Sequence, residues 1–131
     1  MLLIDTSVWI KLFREENDDF KQTLTEIIDG RDYYLSRFTQ TELLQGCRNE
    51  REWSKLNSYL ETQDYINPSL QSWTHAARIY FELRRQGITV RNTIDCLIAA
   101  STIEHKLLLV HIDRDFEAIA QGVALNQIRL D

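Results

Sequence analysis

Apolar residues arrive in this chain in short blocks with two different periods, and the polar residues between them mark where one period gives way to the other. Leu2-Leu3-Ile4 is a continuous run of the kind a buried strand shows, and it is cut off at Asp5-Thr6-Ser7. Val8, Trp9, Leu12 and Phe13 then recur at helical spacing. The pattern predicts a strand over residues 2–5 and a buried-faced helix capped by Thr6 or Ser7. A second helix is expected after Asn17-Asp18-Asp19, with Phe20, Leu24, Ile27 and Ile28 on one face and Asp29-Gly30 as its stop. Tyr33-Tyr34-Leu35-Ser36 predicts the second strand. Thr39-Gln40-Thr41-Glu42 opens a helix towards Gly46, and another carries Trp53, Leu56 and Leu60. Tyr65-Ile66 reads as a short third strand, closed by Asn67-Pro68.

The second half repeats the alternation. A long helix is predicted over residues 70–86, where Trp73, Ala76, Ala77, Tyr80 and Phe81 fit one helical stripe and Gly87 provides the stop. A helix over 93–106 presents Ile94, Leu97, Ile98 and Ser101 along one side. Residues 107–110 form the strongest apolar run, a central buried strand that ends at His111-Ile112-Asp113. A short helix over 115–121 and a last strand over 127–130 follow. Strands alternating with helices indicate an α/β fold, a mostly parallel sheet of four to five strands with helices on both faces.

Composition narrows the function. With 131 residues, 44% hydrophobic and 27% charged, the chain is expected to be one domain spanning 1–131. The net charge of −5 argues against holding nucleic acid by bulk attraction. It leaves room for a nucleic-acid enzyme whose acidic centre is neutralised by metal, with basic residues placed locally. Cys47 and Cys96 match no metal spacing and suggest a reducing cytosol, so a cytoplasmic location is expected. The first apolar run is too short for a signal peptide, and no run spans a bilayer, so no membrane association is expected.

In a parallel sheet all strand C-termini share one edge, and the helices that follow strands begin there. Asp5 ends the first strand, Glu42 and Asp95 lie in first helical turns, and Asp113 ends the strand over 107–110. All four acids therefore map to that edge. Each also has a structural explanation. Thr39-x-x-Glu42 and Asn92-x-x-Asp95 resemble capping boxes, and Asp5 and Asp113 can cap the helices after them. Together, four crowded carboxylates repel one another and raise each other's pKa, a conflict that a divalent cation removes. Oxygen ligands without Cys or His suit Mg²⁺, with Mn²⁺ as a substitute. Such a site points to a phosphate-bearing substrate and metal-assisted hydrolysis.

Leu3-Ile4-Asp5-Thr6-Ser7, Thr39-x-x-Glu42-Leu43, Thr93-Ile94-Asp95-Cys96-Leu97-Ile98-Ala99-Ala100 and His111-x-Asp113-x-Asp115-Phe116 resemble the motifs of PIN-domain nucleases, and more narrowly VapC-type toxins of toxin–antitoxin pairs. The resemblance covers essentially the whole chain and implies a PIN-like three-layer fold. It also implies an Mg²⁺-dependent endoribonuclease, usually a homodimer, held inactive by a cognate antitoxin. It carries Asp5, Glu42, Asp95 and Asp113 over as the acidic site. In this reading Asp5, Asp95 and Asp113 supply the metal contacts, while Glu42 orients or deprotonates the attacking water or binds a second ion. Asp115 either contributes to the site or caps its helix. His111 stands where the family often has Thr.

Supporting residues carry two readings each. Ser7 either holds a metal water or phosphate oxygen or caps its helix. Arg84, Arg85 and Arg91 flank the approach to Asp95 and are candidates for backbone phosphate contacts or a solvated helix end. The helical spacing of Trp9, Trp53, Trp73, Tyr80 and Phe81 favours core or dimer packing over base stacking. His75 and His105 read as surface or packing residues. Two rivals remain: a receiver-type phosphoacceptor domain, and a non-catalytic acidic pocket that receives an arginine from a partner. An antitoxin inserting a basic residue into the acidic site is compatible with the enzyme as well.

Overall fold

The structure, a computed structural model, describes residues 1–14 and 18–131. Asn17, expected just before the second helix, lies outside the described residues. The elements follow in the order β1 (Leu2–Ile4), α1 (Thr6–Arg14), α2 (Asp18–Ile28), β2 (Tyr33–Ser36), α3 (Arg37–Gln45), α4 (Glu50–Leu60) and β3 (Tyr65–Ile66). Then come α5 (Leu70–Arg85), α6 (Thr93–Glu104), β4 (Leu108–His111), α7 (Arg114–Gly122) and β5 (Gln127–Arg129).

The strands form one parallel sheet of order β3-β2-β1-β4-β5. Two-residue alternation divides their side chains between two cores. Leu3 and Leu109 face Ile79 and Leu83 of α5, Ala99 of α6, and Phe116 and Ile119 of α7. Leu2, Ile4 and Val110 face Val8 and Trp9 of α1, Leu24 of α2, Leu43 of α3 and Leu60 of α4. This is the expected three-layer architecture. The chain steps outward from β1 to β2 and β3, then crosses to β4 on the other side. That reversal opens a crevice beyond the carboxyl ends of β1 and β4, the place where open α/β sheets bind ligands. The β1–β4 register, Ile4 beside Val110, fixes which residues meet there.

Several helix faces differ from the expectation. The buried stripe of α5 is Ser72, Ala76, Ile79 and Leu83, while Trp73, Ala77 and Phe81 face outward. Two interleaved stripes have helical spacing, and the helix seats the one with small residues because α6 runs close beside it. Ser72, Ala76, Ala99 and Ala100 allow that approach, and a tryptophan at the contact would not. Phe13 and Trp53 are exposed as well, whereas Trp9 is buried against Phe13, Tyr33 and Tyr59. Helix α6 has no solvent-facing side from Cys96 through Thr102, because it lies between the sheet and α5 and α7. It stops before Lys106, whose positive φ of 55° cannot continue a right-handed helix. Gly87, at φ 77°, ends α5 in the left-handed conformation that glycine adopts at least cost.

Candidate functional site

At the end of β1 the chain turns directly into α1. Asp5 itself caps that helix, rather than Thr6 or Ser7: its carbonyl accepts from the Val8 N–H at 3.1 Å and its carboxylate from the Ser7 N–H at 3.1 Å. The Ser7 hydroxyl donates to the same carboxylate oxygen at 2.6 Å and accepts from the Ile112 N–H at 3.0 Å. Its one proton is thereby committed, and Ser7 ties the end of β1 to the segment after β4. Burial pushes the Asp5 carboxyl above its ordinary value despite the Ser7 bonds, and the Asp113 charge adds to that.

Glu42 arrives by a different route from the one expected. Helix α3 begins at Arg37, with Ser36 as its cap accepting from the Thr39 N–H, so Thr39 and Glu42 do not form a capping box. Glu42 sits a turn further in. Thr6 Oγ1 lies 2.9 Å from Thr39 Oγ1 and donates to Glu42 Oε1 at 3.1 Å. Ser36 Oγ stands 3.3 Å from Thr39 Oγ1, which completes a ladder of hydroxyls from β2 to Glu42. Partial burial raises the Glu42 carboxyl, against the Thr6 bond that lowers it. In the sequence Thr6 and Thr39 read only as caps, and the only signal for their linkage is two threonines following the ends of neighbouring strands. Ser36→Ala is expected to lower stability by about 1 kcal/mol, the usual cost of losing a cap, read as a lower urea midpoint at unchanged slope.

Asp95 lies in the first turn of α6. Its cap Asn92 accepts from the Ile94 N–H at 2.8 Å. Among the described residues nothing donates a hydrogen bond to the Asp95 carboxylate. Burial, then the charges of Asp113, Asp5, Asp115 and Glu42, push its pKa from 3.8 to about 7.

Asp113 caps α7, accepting from the Asp115 N–H at 2.9 Å. Its own N–H donates to His111 Nδ1 at 3.0 Å, while His111 Nε2 lies 2.6 Å from Gln127 Oε1. These bonds place the imidazole proton on Nε2 and make His111 a buried brace for the Asp113 turn. Asp115, also buried, accepts from Arg91 Nε at 3.0 and 3.3 Å, and Arg91 Nη2 stands 3.8 Å from Asp113.

These side chains line one cavity of about 380 Å³ that includes Asp5, Ser7, Glu42, Asp95, Asp113 and Asp115, with Arg91 at its rim. Oxygens of Asp95, Asp113 and Asp115 all come within 4.8 Å of one another. Asp115 thus joins Asp95 and Asp113 in this group, where the sequence suggested Asp5, which lines the same cavity. Arg84 and Arg85 are not in the lining; Arg84 lies over the Tyr80 ring and Arg85 is 3.8 Å from Glu82. His75 is exposed, and His105 Nδ1 is 2.9 Å from the Ser101 carbonyl. The donor set fits a hard divalent cation: all oxygen, converging, and carrying more negative charge than a single arginine offsets.

The family model for the PIN domain matches residues 2–122. The VapC ribonuclease Mb1587 of Mycobacterium bovis is 32% identical over 126 residues, which cover 92% of this chain and 92% of its own. Ribonuclease VapC51 of Mycobacterium tuberculosis is 30% identical over 118 residues, covering 90% and 84%. Among solved structures, VapBC2 from Rickettsia felis bound to a promoter DNA fragment superposes with a TM-score of 0.80 at 20% identity over 100% of both chains. VapBC-1 from nontypeable Haemophilus influenzae gives 0.78 at 19% identity, over 98% of this chain and 97% of that one.

Proposed function

This chain belongs to the PIN-domain family, and from that premise we propose that it is the Mg²⁺-dependent endoribonuclease toxin of a toxin–antitoxin pair. The observation that carries the proposal is the convergence of Asp95, Asp113 and Asp115 within 4.8 Å, with Asp5 and Glu42 in the same cavity wall. Asp95, Asp113 and Asp115 would hold the cation, with Asp5 fixed beside them by Ser7. A divalent cation held there would supply Lewis-acid chemistry, activating water and offsetting charge on the scissile phosphate. Glu42, held by Thr6 and with its carboxyl raised by burial, is placed to take a proton from an attacking water. Arg91 stands where a substrate phosphate would enter.

The receiver-type alternative fails on topology as well as family. Receiver sheets run in the order 2-1-3-4-5, whereas here β1 lies between β2 and β4. The antitoxin relationship rests on the VapC relatives. It is supported by a second cavity of about 850 Å³ between α1, α3 and α4, which shares Ile10 and Glu42 with the acidic one. A peptide seated there reaches the carboxylates with a basic side chain, and Asp95 is the acid that no described residue donates to. Leu70, Trp73 and Phe81, 89%, 53% and 40% exposed, give α5 an apolar outer line that supports a homodimer. Among the described residues no helix is long and apolar enough to cross a membrane; the toxin is proposed to act in the cytoplasm.

The test is direct. Purified protein with Mg²⁺ should cleave RNA at defined sites, chelation should abolish cleavage, and Mn²⁺ should restore it. Cleavage that persists undiminished in excess chelator would overturn the metal-dependent reading.

A further inference from the structure

A third cavity, about 530 Å³, adjoins the acidic one, and Arg91 and Asp115 line both. Thr89, Arg114 and Gln121 also line it, so it is rich in donors although the protein is acidic overall. Its acids are already matched: Asp115 by Arg91, and Glu117 by Arg129 at 2.6 Å. Arg114 is exposed at the start of α7 and, among the described residues, pairs with no acid. Arg91 is held through Nε by Asp115, with Nη2 3.8 Å from Asp113, while its side chain is 60% exposed along the wall between the two cavities.

The geometry points to this cavity as a subsite for the phosphodiester that adjoins the scissile one, with Arg114 as its main contact and Arg91 as the wall between the two phosphates. The inference rests on the RNA reading above and deepens it. A nucleic-acid strand crossing the acidic cavity carries its next phosphate into the neighbouring space. Of these two neighbouring spaces, the one between α1, α3 and α4 is largely apolar, lined by Phe13, Leu43, Leu56 and Tyr59 together with Arg14, Arg48 and Lys55, and it is the one proposed above to seat the antitoxin peptide. The cavity at Arg114 sets two arginines against two acids, and because both acids are already engaged, the Arg114 charge is the one left for a ligand. Arginine suits the task because its guanidinium presents a planar fork of donors to phosphate oxygens. Such a contact positions the strand and is made equally in the ground and transition states, so its loss appears in KM.

Arg114 is also the cleaner residue to change, since removing Arg91 would leave Asp115 buried without its counter-ion. The experiment measures kcat and KM for wild type, Arg114→Ala and Arg114→Lys on a single-stranded oligoribonucleotide cut once by the wild type. The same substrate is then used with one neutral methylphosphonate linkage at successive positions on either side of the cut. Arg114→Ala should raise KM about tenfold at nearly unchanged kcat, and Arg114→Lys should recover part of it. One flanking methylphosphonate should cost the wild type a similar factor and cost Arg114→Ala nothing further, because both changes remove one contact. A native KM in Arg114→Ala, or losses that multiply at every linkage, would overturn the subsite while leaving the ribonuclease reading intact. A wild-type protein that cleaves no RNA would overturn both.

Discussion

Replacing Asp95 by Asn is expected to abolish metal-dependent RNA cleavage, lowering the rate by roughly a thousandfold or more, equivalent to about 4 kcal/mol. Asp95 begins a helix buried from Cys96 onward, so its backbone is held by packing that the substitution does not touch. Asn keeps the shape and removes the charge. The carboxylate accepts no hydrogen bond from any described residue, so no internal partner is orphaned by the change. The other four acids in the cavity all raise its pKa, so losing its charge relieves repulsion. The variant should therefore be at least as stable as the wild type in chelator at pH 8, while gaining much less from Mg²⁺. Cleavage assays and melting curves on the same samples separate the two effects. Full activity in Asp95→Asn would remove the basis of the proposed chemistry, and a melting temperature well below wild type would assign Asp95 a structural role.

The second large effect is a dependence of stability on pH that a divalent cation reverses. Asp95 titrates at about 7 in the fold, against an ordinary 3.8. Between those values the folded chain retains a proton that the unfolded chain has lost. Stability of the metal-free protein therefore falls as pH rises from about 4 to about 7. Asp5 and Glu42, raised by burial, act in the same direction. A bound cation favours the ionised carboxylates, so its stabilisation grows over the same interval. At pH 8, Mg²⁺ or Mn²⁺ at a hundredfold excess over its Kd should contribute about 2.7 kcal/mol and raise Tm by on the order of 8 °C. Near pH 5 the same concentration should do much less. A Tm at pH 8 that ignores both ions would sink the cation site, and a metal-free Tm that climbs steadily from pH 5 to 8 would contradict the raised pKa of Asp95.

Much of the site is legible in the sequence because of where its residues fall along the chain. Short apolar runs stop at Asp5 and before Asp113, and a parallel sheet brings all such stops to one edge. Glu42 reaches that edge as expected, but not as part of a capping box. The Thr39-x-x-Glu42 spacing places the helix start at Thr39, whereas Ser36, the last residue of β2, both ends the strand and caps the helix. A capping-box spacing is a local signal, and here an earlier residue with the same capping chemistry takes precedence over it.

The alternation of strands and helices, the parallel class that follows from it, and the edge at which the acids gather are all specified along the chain. They depend on local period and chain direction, for which neighbouring residues suffice. Contact across the fold settled the rest. It selected Ser72, Ala76, Ile79 and Leu83 as the buried face of α5, because only small side chains let α6 approach closely. It buried α6 from Cys96 through Thr102 by setting it between layers, where that stretch has no face left for water. It drew Asp115 in beside Asp95 and Asp113, because the cap that Asp113 makes on α7 tightens the turn and Arg91 offsets the added charge. It also committed the single hydroxyl proton of Ser7 to Asp5, fixing the first carboxylate against the segment after β4 that leads to Asp113.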